Sequence, residues 1–233
     1  MFSFKRFLIL IVAAFIILST VNAQTGSRSE MTPEELFLRQ TIELLIIRET
    51  ARAESREQKL ISLDYIGDAI SRGNRNDEIR QTLEFLSYEG VRNATRENNR
   101  VVNNFPDVRR RAAMHLGTFG TVEATNSLIG ILQHENEPMV IQEAIKSLGD
   151  IGINNNNETV INIILAVRKF DTLNPDNLMA LATIDAFEKI AERDGGLSSE
   201  AIEFLIRIAG GNYVTPVKER ARMLMSDLRS FSR

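Results

Sequence analysis

Residues 108–120 read VRRRAAMHLGTFG, and residues 140–152 read VIQEAIKSLGDIG, the same thirteen-residue rhythm 32 positions apart. In the first copy Val108, Ala112, Leu116 and Phe119 recur at helical spacing, and in the second Val140 or Ile141, Ala144, Leu148 and Ile151 hold the same slots. Ala113, Gly117 and Gly149 are small, which suits a close approach between helix backbones, and Gly120 and Gly152 fall where each helix must turn sharply into the next. A single helical hairpin cannot bury its apolar side alone. Stacked copies make a continuous core, so near-identical hairpin halves in one chain point to a helical repeat array.

The prolines extend the register. Pro106, Pro138, Pro175 and Pro216 are spaced by 32, 37 and 41, and aligning Gly67 with Gly117 carries the series back by 50, with a longer insertion. Each proline fits the first turn of a helix. The reading predicts an N-terminal helix over 32–54, opened by Thr32-Pro33 and a Thr32-x-x-Glu35 capping box, and a hairpin over 55–90, opened by a second box at Ser55-x-x-Gln58. Further units follow at about 106–134, 138–170 and 175–209, the third opened by Asn174-Pro175, and a last helix at 215–230. Residues 91–105 are Asn- and Arg-rich and are read as a loop or frayed helix end. Asn154–Asn157 form a connector, since Asn tolerates left-handed backbone. No segment alternates apolar and polar residues for long, so no sheet is expected. The fold class is all-α, an α-solenoid of about four to five hairpins.

Before that array stands a separate signal. Residues 1–23 carry Lys5 and Arg6, an apolar run from Phe7 to Leu18, and Val21-Asn22-Ala23. These are the n-region, h-region and small-residue site of an exported chain, with cleavage expected before Gln24; the run is shorter than the roughly 20 residues a membrane helix needs. Residues 24–31 form a polar lead-in. No cysteine occurs, so stability rests on packing and no lipoprotein anchor follows the h-region. The full chain carries 28 Lys and Arg against 31 Asp and Glu; without residues 1–23 the balance falls to −5. A mildly acidic exported chain is a poor nucleic-acid binder. The expected location is the bacterial periplasm or outside the cell, with no membrane span after cleavage.

The matching slots can be written as a pattern: Pro-x-Val at 106–108 and 138–140, Ala112-Ala113 and Ala144-Ile145, then Leu-Gly-x-Phe/Ile-Gly at 116–120 and 148–152. This pattern resembles HEAT-like repeats of the bilin-lyase subfamily. The resemblance is strong over 106–152. Over 55–90 and 175–229 it rests on helix period and proline placement, and those flanking units lack the Leu-Gly-x-x-Gly ending. A tetratricopeptide array is disfavoured by the absence of its fixed 34-residue period and aromatic signature. What the resemblance implies is a solenoid; a lyase-like or chromophore-handling activity is implied only by the subfamily name.

The residues themselves supply no catalytic constellation. His115 and His134 lie at helical positions read as polar surface, without the paired spacing or cysteines of a zinc site. There is no GxSxG elbow, phosphate-binding loop or dinucleotide fingerprint, and the Gly-Gly pairs at 195–196 and 210–211 read as helix stops. No cofactor or metal is expected. Arg92, Arg96, Arg100, Arg109, Arg110 and Arg111 form a basic cluster, read first as solvated charges at a helix start and along a polar loop and alternatively as a patch for an anionic partner. In stacked hairpins the second helix of each pair normally lines the inner surface, which nominates Glu123, Asn126, Gln133, Asn162, Arg168, Glu203 and Arg207 as partner-binding positions. The function expected on these grounds is a non-enzymatic scaffold of the bacterial envelope that binds a protein or peptide. Alternatives are a self-associating assembly factor, with Leu44–Ile47 as its apolar stripe, or a lyase-like chromophore-handling protein.

Overall fold

The computed structural model describes residues 32–171 and 175–231. The expected signal peptide and polar lead-in, and the Asn174 cap, lie outside the described residues. The helices are α1 (Pro33–Arg52), α2 (Arg56–Ser71), α3 (Asp77–Ser87), α4 (Pro106–Phe119), α5 (Val122–His134), α6 (Pro138–Ile151), α7 (Glu158–Phe170), α8 (Asn177–Asp194), α9 (Ser199–Gly210) and α10 (Thr215–Phe231). By its internal contacts the chain divides between Ile42 and Glu43. Of the first unit the structure describes the opening turns of α1, where the capping box forms as its sequence requires: Glu35 N–H donates to Thr32 Oγ1 at 3.2 Å, and Thr32 N–H donates to Glu35 Oε2 at 3.0 Å.

The second unit is a two-row stack. First helices α2, α4, α6, α8 and α10 pack side by side in one row; second helices α3, α5, α7 and α9 form the other. The first row is the more intimate, because its helices cross through residues without bulk. A Cβ on Gly117 would lie 2.7 Å from the Ser147 Cβ, and one on Gly149 would lie 2.6 Å from the Ala186 Cα. Only glycine permits these crossings. Val108, Ala112, Leu116 and Phe119 are buried, as are Val140, Ile141, Ala144, Leu148 and Ile151, in one continuous aliphatic core from Ile47 to Leu224. The all-α solenoid expected from the repeat is therefore the fold observed.

Local chemistry departs from the sequence reading in four places. Ser55 makes no side-chain cap to its helix and instead donates to Glu57 Oε2 at 2.9 Å. The cap of α8 is Asp176, whose Oδ1 accepts from Leu178 N–H and Met179 N–H at 2.9 and 3.0 Å. Residues 91–105 are neither loop nor frayed helix alone. They hold a small antiparallel hairpin, β1 (Arg96–Glu97) and β2 (Arg100–Val101), with Arg96 opposite Val101 and Glu97 opposite Arg100. Its two turn residues, Asn98 and Asn99, both have positive φ (47° and 65°), the geometry that sets two strands into a tight hairpin. Strands this short leave no alternation to detect. Finally, of the Leu44–Ile47 stripe only Leu45 is exposed; Ile47 is buried, and Leu44 packs partly on the core.

The turns that the sequence does announce behave accordingly. Gly120 and Gly152 close α4 and α6 at φ of 73° and 71°. Asn156 and Asn157, in the connector before α7, take φ of 49° and 64°.

Candidate functional site

Because α4, α6 and α8 cross closely at their small residues, their outer turns leave a shallow depression of about 360 Å³ on the first-helix row. Its floor is apolar: Met139 at the start of α6 and Leu178 at the start of α8 are 46% and 66% exposed, beside Ala182. Its rim carries both signs, with Arg110 on α4, Lys146 on α6 and Lys189 on α8 beside Glu143 on α6 and Asp185 on α8. Acidic residues are interleaved so that each cation has an acidic neighbour. Glu143 lies 4.0 Å from Arg110 and 3.7 Å from Lys146, and Asp150 lies 2.5 Å from Lys189. The three cations and Asp150 are exposed, whereas Glu143 is largely covered between Arg110 and Lys146; pairs with an exposed cation contribute little to stability. Gln142 donates to Asp176 Oδ2 at 3.1 Å and ties the cap of α8 to α6 across the same depression.

Residues 100–172 match the protein family described as HEAT repeats. The chain is a HEAT-like repeat protein. No curated protein sequence matches it. Among solved structures, the complex of CpcE and CpcF of phycocyanin lyase from Nostoc sp. PCC7120 shares its fold, with a TM-score of 0.52 at 19% identity over 89% of this chain and 68% of the other. At that identity the likeness concerns the fold.

This finding overturns the reading of the HEAT-like chain as a non-enzymatic scaffold. That reading took the absence of a catalytic motif as absence of chemistry, and the same kind of hairpin stack occurs in the structure of a lyase. The physical reason is that the repeat pattern records helix packing. Any chemistry on a solenoid is assembled from surface residues of several hairpins, far apart in sequence, and leaves no contiguous motif.

The seven nominated second-helix positions do not line the first-row depression. They lie on α5, α7 and α9, exposed except for half-buried Asn162. The fold brings some of them together: Gln133 Nε2 donates to Asn162 Oδ1 at 3.0 Å, linking α5 to α7, and the Arg168 guanidinium sits 5.8 Å from the Phe204 ring, linking α7 to α9. Glu123, Asn126, Glu203 and Arg207 project from the same row. The carboxyl of Glu123 titrates below its ordinary range because its own backbone amide and the Thr121 hydroxyl bond to the anion.

The basic cluster is dispersed by the fold. Arg92 stacks 4.9 Å over the Tyr88 ring, Arg96 and Arg100 stand exposed on the hairpin, Arg110 joins the depression, and Arg111 pairs with Asp64. Arg109 is not a surface residue at all. It is 1% exposed, and its Nε donates to Glu135 Oε2 at 2.6 Å. Its Nη1 donates to the Glu89 carbonyl and to Asn104 Oδ1, both at 2.9 Å. Glu135 in turn accepts from the backbone N–H groups of Asn136 and Glu137 at the entrance of α6. Arg109 thus anchors the 88–105 segment to the α5–α6 turn.

His115 also differs from its sequence reading. It is buried against Gly67, where a Cβ would come within 2.9 Å of its Cε1, and its Nε2 has no hydrogen-bond partner. Burial, helped by Arg111 and opposed by Asp64, lowers its pKa to about 4. His134 is exposed, with Nδ1 2.8 Å from the Gly130 carbonyl. Among the described residues no group of three or more His, Cys, Asp or Glu side chains is placed to hold a metal ion.

Proposed function

We propose that this HEAT-like chain is a lyase-like, chromophore-handling protein that works together with a protein partner. The observation that carries the reading is the amphipathic depression across α4, α6 and α8, on a fold similar over 89% of this chain to one chain in the structure of the CpcE–CpcF complex of phycocyanin lyase. In this reading the apolar floor of Met139, Leu178 and Ala182 receives the conjugated plane of an open-chain tetrapyrrole. Arg110, Lys146 and Lys189 receive its carboxylates, exchanging their contacts with Glu143 and Asp150 for charge-assisted bonds to the ligand. The chain has no cysteine, so the chromophore is held without a thioether bond to it. That suits a protein that passes a chromophore on rather than one that keeps it.

The partner is a protein rather than nucleic acid, consistent with the acidic balance of the chain. Its contacts run along the second-helix row through Glu123, Asn126, Gln133, Asn162, Arg168, Glu203 and Arg207. The site of action is outside the cytoplasm, on the strength of the residues 1–23 pattern, and N-terminal sequencing of the protein recovered from cells tests this. Among the described residues no helix is long and apolar enough to cross a membrane.

Titration of the purified chain with biliverdin, followed by visible absorbance, tests the functional reading. A saturable red shift or sharpening of the long-wavelength band, weakened at least about tenfold when Lys146 and Lys189 are both replaced by Glu, is the expected result. An unperturbed spectrum at all ratios sinks it.

A further inference from the structure

A second cavity, independent of the chromophore reading, holds about 240 Å³ between the α1–α2 turn, Phe85 of α3 and the 88–105 segment. We propose that it binds a small zwitterion of the α-amino-acid class carrying an apolar side chain.

Its inner wall is built from charged and amide groups withdrawn from solvent. Lys59 and Glu89 are each 3% exposed and pair at 3.1 Å. The Lys59 ammonium also donates to the Ala51 carbonyl at 2.9 Å and sits 5.6 Å over the Phe85 ring. Asn103 holds Glu89 in place: its Nδ2 donates to Glu89 Oε1 at 2.7 Å and to the Asn93 carbonyl at 2.6 Å, while its Oδ1 accepts from Thr95 N–H at 2.7 Å. A buried ion pair is a poor way to stabilise a fold, because desolvation consumes most of the attraction and an apolar pair of similar size serves as well. Here the pair lies in the wall of a cavity and is held there by the Ala51 carbonyl and Asn103.

The rim defines the ligand. Arg52 supplies one cation, and Glu54 and Glu97 supply two carboxylates. None of the three makes an ion pair among the described residues. Beside them Phe85 and Val102 leave apolar surface, 37% and 42% exposed. A simple anion would satisfy Arg52 and be repelled by both carboxylates; a simple cation would do the reverse. A molecule with both charges two bonds apart satisfies each: its carboxylate on the Arg52 fork, its ammonium on Glu54 or Glu97, its side chain on Phe85 and Val102. The volume is below the roughly 300–1,000 Å³ of sites for drug-sized ligands, in keeping with a single small metabolite.

Isothermal titration calorimetry of the chain with L-leucine and L-phenylalanine tests this. One-site binding is expected, weakened at least about tenfold for N-acetyl-L-leucine, which lacks the ammonium, and similarly for L-leucinamide, which lacks the carboxylate. Arg52→Gln should abolish the preference for leucine over leucinamide, and Glu97→Gln should reduce that for leucine over its acetyl derivative. Both residues are exposed, so neither change endangers the fold. No saturable heat with either amino acid at millimolar concentration, or equal affinity for leucine and N-acetyl-leucine, overturns the proposal. Biliverdin titration of the same variants separates it from the chromophore reading, which predicts no change.

Discussion

Replacing His115 by Leu should remove a defined part of the acid sensitivity of this protein. In the fold the imidazole is buried against Gly67 with no partner for Nε2, and its pKa is lowered to about 4 from an ordinary 6.5, chiefly by desolvation, with Arg111 adding to the shift and Asp64 opposing it. The unfolded chain therefore takes up a proton at this residue before the folded chain does, so the contribution of neutral His115 is complete above about pH 6.5 and is lost as the pH falls toward 4. Integrating that difference gives a loss of about 2 kcal/mol between pH 7 and pH 5, rising to about 3 kcal/mol at pH 4. Carboxylates elsewhere also respond to acid, so the informative quantity is the stability gap between the wild type and His115→Leu, measured by urea denaturation followed by helical circular dichroism. That gap should shift by about 2 kcal/mol toward the variant on going from pH 7 to pH 5, whatever its absolute size. A gap that stays constant across this range would refute the argument and mean that the buried imidazole finds a proton acceptor in the fold.

Three further outcomes follow from named contacts. Arg109→Leu leaves Glu135 buried without its cation and should cost about 3–5 kcal/mol in urea denaturation, whereas Arg110→Leu, at an exposed position, should cost less than about 0.5 kcal/mol. Gly149→Val drives a branched side chain into the Ala186 backbone and should lower stability by about 1–3 kcal/mol or more, read as a fall in thermal midpoint. Leu148→Ala, at a fully buried position between hairpins, should cost about 2–5 kcal/mol. Equal stability of Arg109→Leu and Arg110→Leu would show that the buried guanidinium is not paired as described.

Much of the fold was legible because helical repeats write their packing into local spacing. Val108, Ala112, Leu116 and Phe119 sit on one face and are all buried; Gly117 and Gly149 mark the crossings, and Gly120 and Gly152 mark the turns. Each of these requirements acts within a helix turn or at one close contact, so each leaves its residue type at a fixed offset. The hairpin at 96–101 was not legible, since two-residue strands carry no periodicity, and the Asn-Asn at its tip reads equally as a loop. His115 was misplaced for a related reason: its four-residue step from Arg111 describes one helix and is silent about Gly67 on the next.

What the sequence determined by itself is the architecture: an all-α stack of hairpins, its small-residue crossings and its glycine-closed turns, all governed by interactions between near neighbours in the chain. Only the tertiary structure decided which charges are spent inside and which are offered outside. Arg109 and Arg110 are adjacent and chemically identical, yet one is sealed against Glu135 and the other stands at the rim of the depression on α4, α6 and α8. Likewise Lys59, Glu89 and Asn103, up to 44 positions apart, meet as one cavity wall only because the 88–105 segment folds back over α2. A side chain's environment is set by the helices packed around it, and those come from distant parts of the chain, so local spacing fixes the scaffold while long-range packing assigns the sites.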